Sequence, residues 1–441
     1  MRILQITYYY PPMGGAGVQR ALKFSKYLPE FGIEPVVLAA ENKDYISDRS
    51  LLKELPESLR IVRVQHRPLL GILLKKVRSR IKSTKSHVNS VKSEVTFKKP
   101  NARWRDIILG IYTSLQIPDD KSVWARRAFK PACELVYSER IDLIFVTVPS
   151  YSALNLAARV SAETGCPWVA DYRDLWVNNP DYSAPFWRKP IDHWLEKRWL
   201  KSASGIVAVT PSMQRSLIDV VRPGCPVAMI PNGYDEADFF NKSQIHENEG
   251  VVRIVHVGTF YGQRSPDIFL KGVSKYLETN DKSSKKLKIK FVGNVGSRFS
   301  SSLQIFNNKW PNILEYNGFV HHDEAVAEIL AADLLLLVIG GGVEARGVLT
   351  GKIFEYIRAN RPILLLGPCD GDAANLLRQH ASFLFASPDD PDAIANTLKD
   401  FMGEVQLSPR PANANPAMFE RRELARELAK FLRSCMELHH E

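Results

Sequence analysis

Residues 1–40 read MRILQITYYYPPMGGAGVQRALKFSKYLPEFGIEPVVLAA. Arg2 to Ile6 is a short apolar run, YYYPPMGGAG breaks it, Val18 to Phe31 carries apolar residues at helical spacing, and Val36 to Ala39 is apolar again. Strand, glycine loop, helix and strand in that order predict a βαβ opening. Without Cβ atoms, Gly14, Gly15 and Gly17 let a ligand approach the backbone, and the helix N-terminus behind them offers N–H groups to an anion. The spacing is not GxGxxG, which argues against a dinucleotide site. A tight turn that simply needs glycine explains the stretch equally well.

The alternation recurs along the chain. Apolar runs at Ile141 to Val148, Trp168 to Ala170, Ile206 to Val209 and Val227 to Ile230 are separated by amphipathic helical stretches. A second series follows at Arg253 to Val257, Lys288 to Val292, Ile313 to Tyr316, Leu334 to Ile339, Ile363 to Leu366 and Ser382 to Phe385. Runs this continuous suit strands covered on both faces, hence parallel sheets flanked by helices. At 441 residues the chain is too long for one core. The expected organisation is an α/β domain at 1–230, a polar linker at 231–250, a second α/β domain at 251–410 and a terminal segment at 411–441. That last segment has apolar residues at helical spacing from Met418 to Met436 and is expected to pack across the domain boundary.

Apolar residues at 45% and charged residues at 24% exclude a disordered or fibrous chain. The formal charge of +11 is local: Lys75 to Arg105 holds eleven basic residues and one acid, leaving 48 basic against 47 acidic residues elsewhere. This basic insertion, about 69–105, follows the apolar run Leu69 to Leu74 and suits an anionic membrane surface or a solvated loop. Its only interleaved aromatics are Phe97 and Trp104, and no nucleic-acid motif accompanies it, so nucleic acid is not an expected partner. Five scattered cysteines with no CxxC, no stretch long enough to span a bilayer and no signal-like N-terminus point to a cytoplasmic chain, possible on the inner face of the membrane as a peripheral protein.

Besides the glycine loop at Gly14 to Gly17, three stretches carry candidate chemistry. Asp171, Arg173 and Asp174 follow the run at Trp168, at the carboxyl end of a parallel strand, where open α/β sheets place their sites. Arg173 and Asp174 could instead form a structural ion pair. Gly258 and Arg264 leave the first strand of the second domain, with Ser265 as N-cap and Pro266 at N1 placing Arg264 at a helix mouth. Gly340 to Tyr356 is a glycine-rich loop running into a helix that begins near Thr350. Within it, Val348, Leu349, Thr350 and Gly351 form the anion cradle. Lys352 and Glu355, three apart on one helix face, offer a cation for phosphate and a carboxylate for two sugar hydroxyls, or a plain surface ion pair. Weaker signals are Asp370-Gly371-Asp372, read as turn and cap rather than metal site; His321-His322, with no further ligands; and Tyr8-Tyr9-Tyr10, read as core. No metal and no cofactor are expected.

At these residues the sequence resembles the GT-B glycosyltransferases, specifically the retaining family 4 of the polysaccharide-assembly type. The resemblance spans nearly the whole chain: PPMGGAG, YRDLW, Pro231-Asn232-Gly233 with Asp238-Phe239, and Gly351-Lys352-Ile353-Phe354-Glu355-Tyr356 followed by Arg361-Pro362-Ile363. It implies two Rossmann-like domains facing each other across a cleft, with a C-terminal helix crossing back. It further implies that Glu355 is the second glutamate of the family's EX7E motif, in contact with the donor ribose. Arg264 matches the family's phosphate-binding arginine, with Lys352 preferred over Lys271 as the second cation. The first glutamate would fall at Gly347 and is missing; Glu344, three residues earlier, is the alternative.

The implied activity is metal-independent transfer of a sugar from a UDP- or GDP-sugar to a saccharide or lipid-linked acceptor, with anomeric retention, in cell-surface polysaccharide synthesis. Arg264, Lys352, Glu355, Asp171 and Asp174 are the catalytic candidates. Gly14, Gly15, Gly258 and the 348–352 stretch join Arg264 and Glu355 as donor-binding, and Arg173, Asp171 and Asp174 are acceptor-side. The rival readings are a nucleotide-sugar 2-epimerase of the same fold, a non-enzymatic binder of anionic membrane or nucleic acid, and a catalytically silent relative.

Overall fold

The structure is a computed structural model that describes residues 1–66, 116–179, 182, 184–240, 250–279, 286–403 and 409–440. The basic insertion therefore lies outside the described residues. The chain divides into two units, Met1–Ala208 with Ser216–Ala228 and Leu428–Glu441, and Val209–Arg215 with Met229–Glu427.

The first unit is built on a seven-stranded parallel sheet: β1 (Arg2–Thr7), β2 (Glu34–Glu41), β3 (Ile61–Gln65), β4 (Leu143–Val148), β5 (Trp168–Tyr172), β6 (Gly205–Ala208) and β7 (Val227–Met229). Their order is β3-β2-β1-β4-β5-β6-β7, so the connections reverse direction between β1 and β4. Every residue of β4, LIFVTV, is buried, as a central strand with both faces covered requires. Helices α1 (Ala16–Tyr27), α2 (Ser122–Ser138), α3 (Ser152–Thr164) and α4 (Arg188–Leu200) lie in the connections. Buried Gln5 on β1 donates to Ala21 O at 2.8 Å and accepts from the Ser25 hydroxyl at 3.1 Å, tying α1 to the sheet. Strand β3 is an addition to the expected set. Arg63 and Gln65 interrupt it, and all but the last residue are half-buried, so it gives no continuous apolar run.

After α5 (Pro211–Ile218), the second unit repeats the plan with six parallel strands: β8 (Val251–Val257), β9 (Lys286–Val292), β10 (Leu314–Asn317), β11 (Leu334–Val338), β12 (Ile363–Leu366) and β13 (Phe383–Ala386). The order β10-β9-β8-β11-β12-β13 reverses between β8 and β11. Helices α6 (Asp267–Thr279), α7 (Ser300–Lys309), α8 (His322–Leu330), α9 (Lys352–Ala359), α10 (Asp372–His380) and α11 (Pro391–Met402) complete it. Gly272 on α6 lets α11 approach closely: a Cβ there would lie 2.5 Å from the Ile394 side chain.

The stretch expected to be a linker is partly core. Tyr234 and Phe239 are buried in the second unit's apolar cluster, and Arg358 donates to Glu236 Oε2 at 2.6 Å. A Cβ on Gly233 would fall 2.0 Å from Phe419 O, so only glycine lets this segment run beside residues 416–421. The final helix, α12 (Arg421–His440), buries Leu424, Leu428, Leu432 and Cys435 along one face. Arg421 to Glu427 belongs to the second unit and Leu428 onward to the first, where Cys435 and Phe431 fill the space left by Gly205 on β6. No described helix is long and apolar enough to cross a membrane.

Candidate functional site

Open parallel sheets form a crevice at the carboxyl ends of the strands where the order reverses. The chain has two such places, one per unit.

In the first unit this place lies past β1 and β4. Tyr8 and Tyr10 are core, as expected: Tyr8 meets Trp124 edge-on and the Tyr10 hydroxyl donates to Ser25 Oγ at 2.8 Å. Gly14 is held by a hydrogen bond from its N–H to Ile46 O at 2.8 Å. Gly15 precedes α1 at φ 90°, is exposed and has open space where a Cβ would point. Asp171, at the end of β5, is fully buried. Arg20 of α1 donates to it from Nε at 2.9 and 3.0 Å and from Nη2 at 2.7 Å, and Thr147 adds its hydroxyl at 3.1 Å. Both carboxylate oxygens are engaged, so Asp171 holds α1 to the strand ends and is closed to a substrate in this arrangement. Arg173 does not pair with Asp174; its Nη1 donates to Gly17 O at 2.6 Å, while Asp174 is exposed.

In the second unit the crevice lies between the loops that leave β8 and β11. Gly258 has φ 154° and its N–H donates to Val292 O at 2.9 Å. The loop then turns back on itself, with Arg264 N–H donating to Tyr261 O at 2.9 Å. The Arg264 guanidinium lies 5.0 Å above the Tyr261 ring and donates to its hydroxyl at 2.9 Å. This aromatic platform holds a half-buried arginine in place without neutralising it. The helix begins at Asp267, whose N–H is taken by Ser265 Oγ at 3.1 Å, so Pro266 lies just before the first helical residue rather than in it.

The β11 loop meets the β8 loop directly. Gly340, at φ 96°, passes so close to Gln263 that a Cβ would lie 3.1 Å from that residue's Cβ and carbonyl oxygen. A 3-10 turn, Val343–Gly347, leads through Val348, Leu349 and Thr350 into α9, which starts at Lys352 with Gly351 as its N-cap. Lys352 Nζ and Glu355 Oε2 pair at 2.8 Å, both only partly exposed. The two residues expected to share a helix face thus hold each other. The Thr350 hydroxyl is buried with no hydrogen-bond partner among the described residues. A side chain at Gly347 would press on Ser212 Cβ at 3.1 Å, and the Glu344 side chain lies outside what is described. Lys271 is exposed on α6, beside the Gly272 contact with α11. Asp370 pairs with Arg346 at 3.1 Å, and Asp372 accepts the Ser212 N–H at 3.1 Å as it opens α10. Among the described residues, no three His, Cys, Asp or Glu side chains gather as metal ligands.

Sequence reasoning missed one residue here. His256, the penultimate residue of β8, is 93% buried and stacks on Phe260 at 4.1 Å. Its Nδ1 lies 2.9 Å from Leu336 O, and because a carbonyl only accepts, Nδ1 carries the proton. Nε2 is then a buried acceptor with no partner among the described residues, 3.3 Å from where a Cβ on Gly258 would lie. Burial lowers its pKa to about 4, and the Arg264 and Lys352 charges push the same way. The only signal in the sequence was a histidine interrupting the apolar run RIVHV.

Residues 95–233 match the family model described as Glycosyl transferase 4-like domain. No curated protein sequence matches the chain. Among solved structures, the chain is similar to an α,α-trehalose-phosphate synthase (UDP-forming) from Burkholderia xenovorans in complex with glucose-6-phosphate, at 12% identity and TM-score 0.60, covering 99% of this chain and 100% of that one. It is similar to the lipopolysaccharide outer core galactosyltransferase WaaB in its apo form, at 12% identity and TM-score 0.57, covering 98% and 100%. A putative UDP-N-acetylglucosamine 2-epimerase from Listeria monocytogenes gives 10% identity and TM-score 0.57, covering 99% and 96%. At these identities the likeness shows the fold alone: two α/β domains of the GT-B type.

Proposed function

We propose that the chain is a glycosyltransferase that moves a sugar from a nucleotide diphosphate sugar to a saccharide or lipid-linked acceptor, with retention of anomeric configuration, in cell-surface polysaccharide synthesis. The observation that carries this reading is the close approach of the β8 and β11 loops at Gln263 and Gly340, with Arg264 next to Gln263 on the one and Lys352 opening the helix that follows the other. The match of residues 95–233 to a glycosyl transferase 4-like domain supports it.

Breaking the bond between the sugar and the diphosphate places negative charge on the leaving phosphate and positive character on the anomeric carbon. Preorganised cations and a helix N-terminus lower that barrier because they need no reorganisation as charge develops. In this reading Arg264, Lys352 and the backbone from Val348 to Gly351 take the phosphates, and Gly258 lets them approach. Glu355 takes two ribose hydroxyls, its carboxylate held meanwhile by Lys352. The leaving phosphate accepts the acceptor's proton as the new glycosidic bond forms, and the charge borne by Arg264 and Lys352 makes a metal unnecessary. Asp171 is then a positioning residue acting through Arg20. Asp174 and the open face at Gly15 serve the acceptor, with Arg173 fixing the start of α1 through Gly17.

The test is a panel of UDP- and GDP-sugars with a lipid-linked saccharide, the product anomer being read by NMR. Transfer with the donor's configuration is expected. Donor incubated without acceptor separates the closest rival, because an epimerised nucleotide sugar would replace the transferase reading with an epimerase one.

A further inference from the structure

Helix α4, Arg188–Leu200, is inverted relative to an ordinary surface helix. Its two acids face inward. Asp192 is fully buried, taking Arg188 Nε at 3.0 Å and the Tyr182 hydroxyl at 2.9 Å; Glu196 is 97% buried and takes the Tyr172 hydroxyl at 3.0 Å. Three large apolar residues at its start and middle face outward, while Trp199 and Leu200 at its end are buried. Trp187, Ile191 and Trp194 are 41%, 40% and 57% exposed, and spacings of four and three put them on one stripe. Arg198 continues that stripe with its guanidinium 5.4 Å above the Trp194 ring. Phe186, just before the helix, is 91% exposed. Lys189, Lys197 and Lys201 are exposed as well. The helix contains no third acid, so its outward charge is all positive.

We propose that this face docks on an anionic lipid surface. Tryptophan and phenylalanine beside lysine and arginine are what an interfacial helix presents, with rings at the headgroup level and cations among the phosphates. Charge of one sign complements such a surface, whereas a protein interface closes with a rim of mixed polarity. The apolar stripe is also one helix wide. That is enough for a bilayer, which takes one helix face. The inference goes beyond the transfer reading; only its consequence, bringing the enzyme to a lipid-linked acceptor, rests on that reading.

The experiment is sedimentation of the full chain with phosphatidylcholine vesicles made with and without phosphatidylglycerol. The wild type is expected to partition at least about tenfold better to the anionic vesicles, and less as salt rises. Phe186→Ser with Trp194→Ser should lower that partition at least about tenfold, and Lys197→Glu with Lys201→Glu should do the same. UDP and GDP binding, measured on the same variants in solution, should be unchanged. That confirms folding and keeps the two claims apart: absent nucleotide binding in the wild type counts against the transfer reading alone. Undiminished vesicle binding by the aromatic variant, or no preference for anionic vesicles in the wild type, would overturn the proposal. So would a dimeric wild type that the aromatic substitutions convert to monomer.

Discussion

The two sheet-end crevices are made from the same parts and handle charge in opposite ways. In the first unit the strand-end carboxylate, Asp171, is fully buried and saturated by Arg20 and Thr147. In the second unit Arg264 rests on an aromatic ring, Lys352 keeps part of its surface in solvent, and His256 Nε2 and Thr350 Oγ1 are buried without partners among the described residues. A saturated polar cluster fixes a structure. One with cations at its rim and unused hydrogen-bonding capacity inside has interactions left for a ligand. The difference marks Asp171 as scaffold and the β8–β11 loops as having interactions to spare more clearly than motif spelling does, since both places carry glycine loops before helices. In the first unit the capacity left is at Ser150, just past β4, whose buried hydroxyl has no partner among the described residues.

The comparison breaks most visibly at Arg20. Arg20→Ala leaves the Asp171 carboxylate buried and unpaired, which should cost about 3–5 kcal/mol in thermal or denaturant unfolding. Arg264→Ala, made on the site side, should change stability by no more than about 0.5 kcal/mol. Equal losses would mean that Arg264 is scaffold, as Arg20 is.

On the activity side the ranking reverses. Arg264→Ala and Lys352→Ala should each lower transfer by at least about 10²-fold, because each removes a charge aimed at the leaving phosphate. Wild-type turnover in either variant would take that residue out of the mechanism.

A third test concerns pH. Burial raises the Glu196 pKa from its ordinary 4.5 to about 7. The folded chain then holds this proton where the unfolded chain has released it, so stability should fall as pH rises from about 4.5 to 7. Glu196→Gln should remove that part of the fall and be more stable than wild type at pH 8 by roughly 2 kcal/mol. Parallel pH curves for the two proteins would contradict the assignment.

The smallest expected effect is at His256. His256→Phe keeps a ring on Phe260 and removes the Nε2 acceptor, which should weaken nucleotide-sugar binding by about fivefold, the worth of one hydrogen bond. An unchanged affinity would leave the orphaned nitrogen without a role in the ligand.

The alternating architecture was legible because strands covered on both faces write themselves as continuous apolar runs, and LIFVTV or LLLLV admits little else. Strand β3 escaped because it is only half-buried and is interrupted by Arg63 and Gln65. The linker expectation misled for a related reason. Tyr234 and Phe239 are two isolated apolar residues in a polar stretch, and only the close approach at Gly233 shows that they reach a core. Among site residues, Lys352 and Glu355 could be paired from their spacing alone. The partners of Asp171 and Arg173 could not: Arg20 lies 151 residues before Asp171, and Gly17 lies 156 before Arg173. His256 was hidden by its own strand, since one histidine in an apolar run says nothing about which of its nitrogens is used.

The central claim is that the β8–β11 crevice holds a diphosphate through two cations from two loops. Calorimetric titration of UDP and GDP into the wild type and into the Arg264→Ala, Lys352→Ala double variant measures it most directly. One nucleotide is expected per wild-type chain, and none bound by a double variant that still unfolds cooperatively. No binding to the wild type, or undiminished binding to a folded double variant, would contradict it.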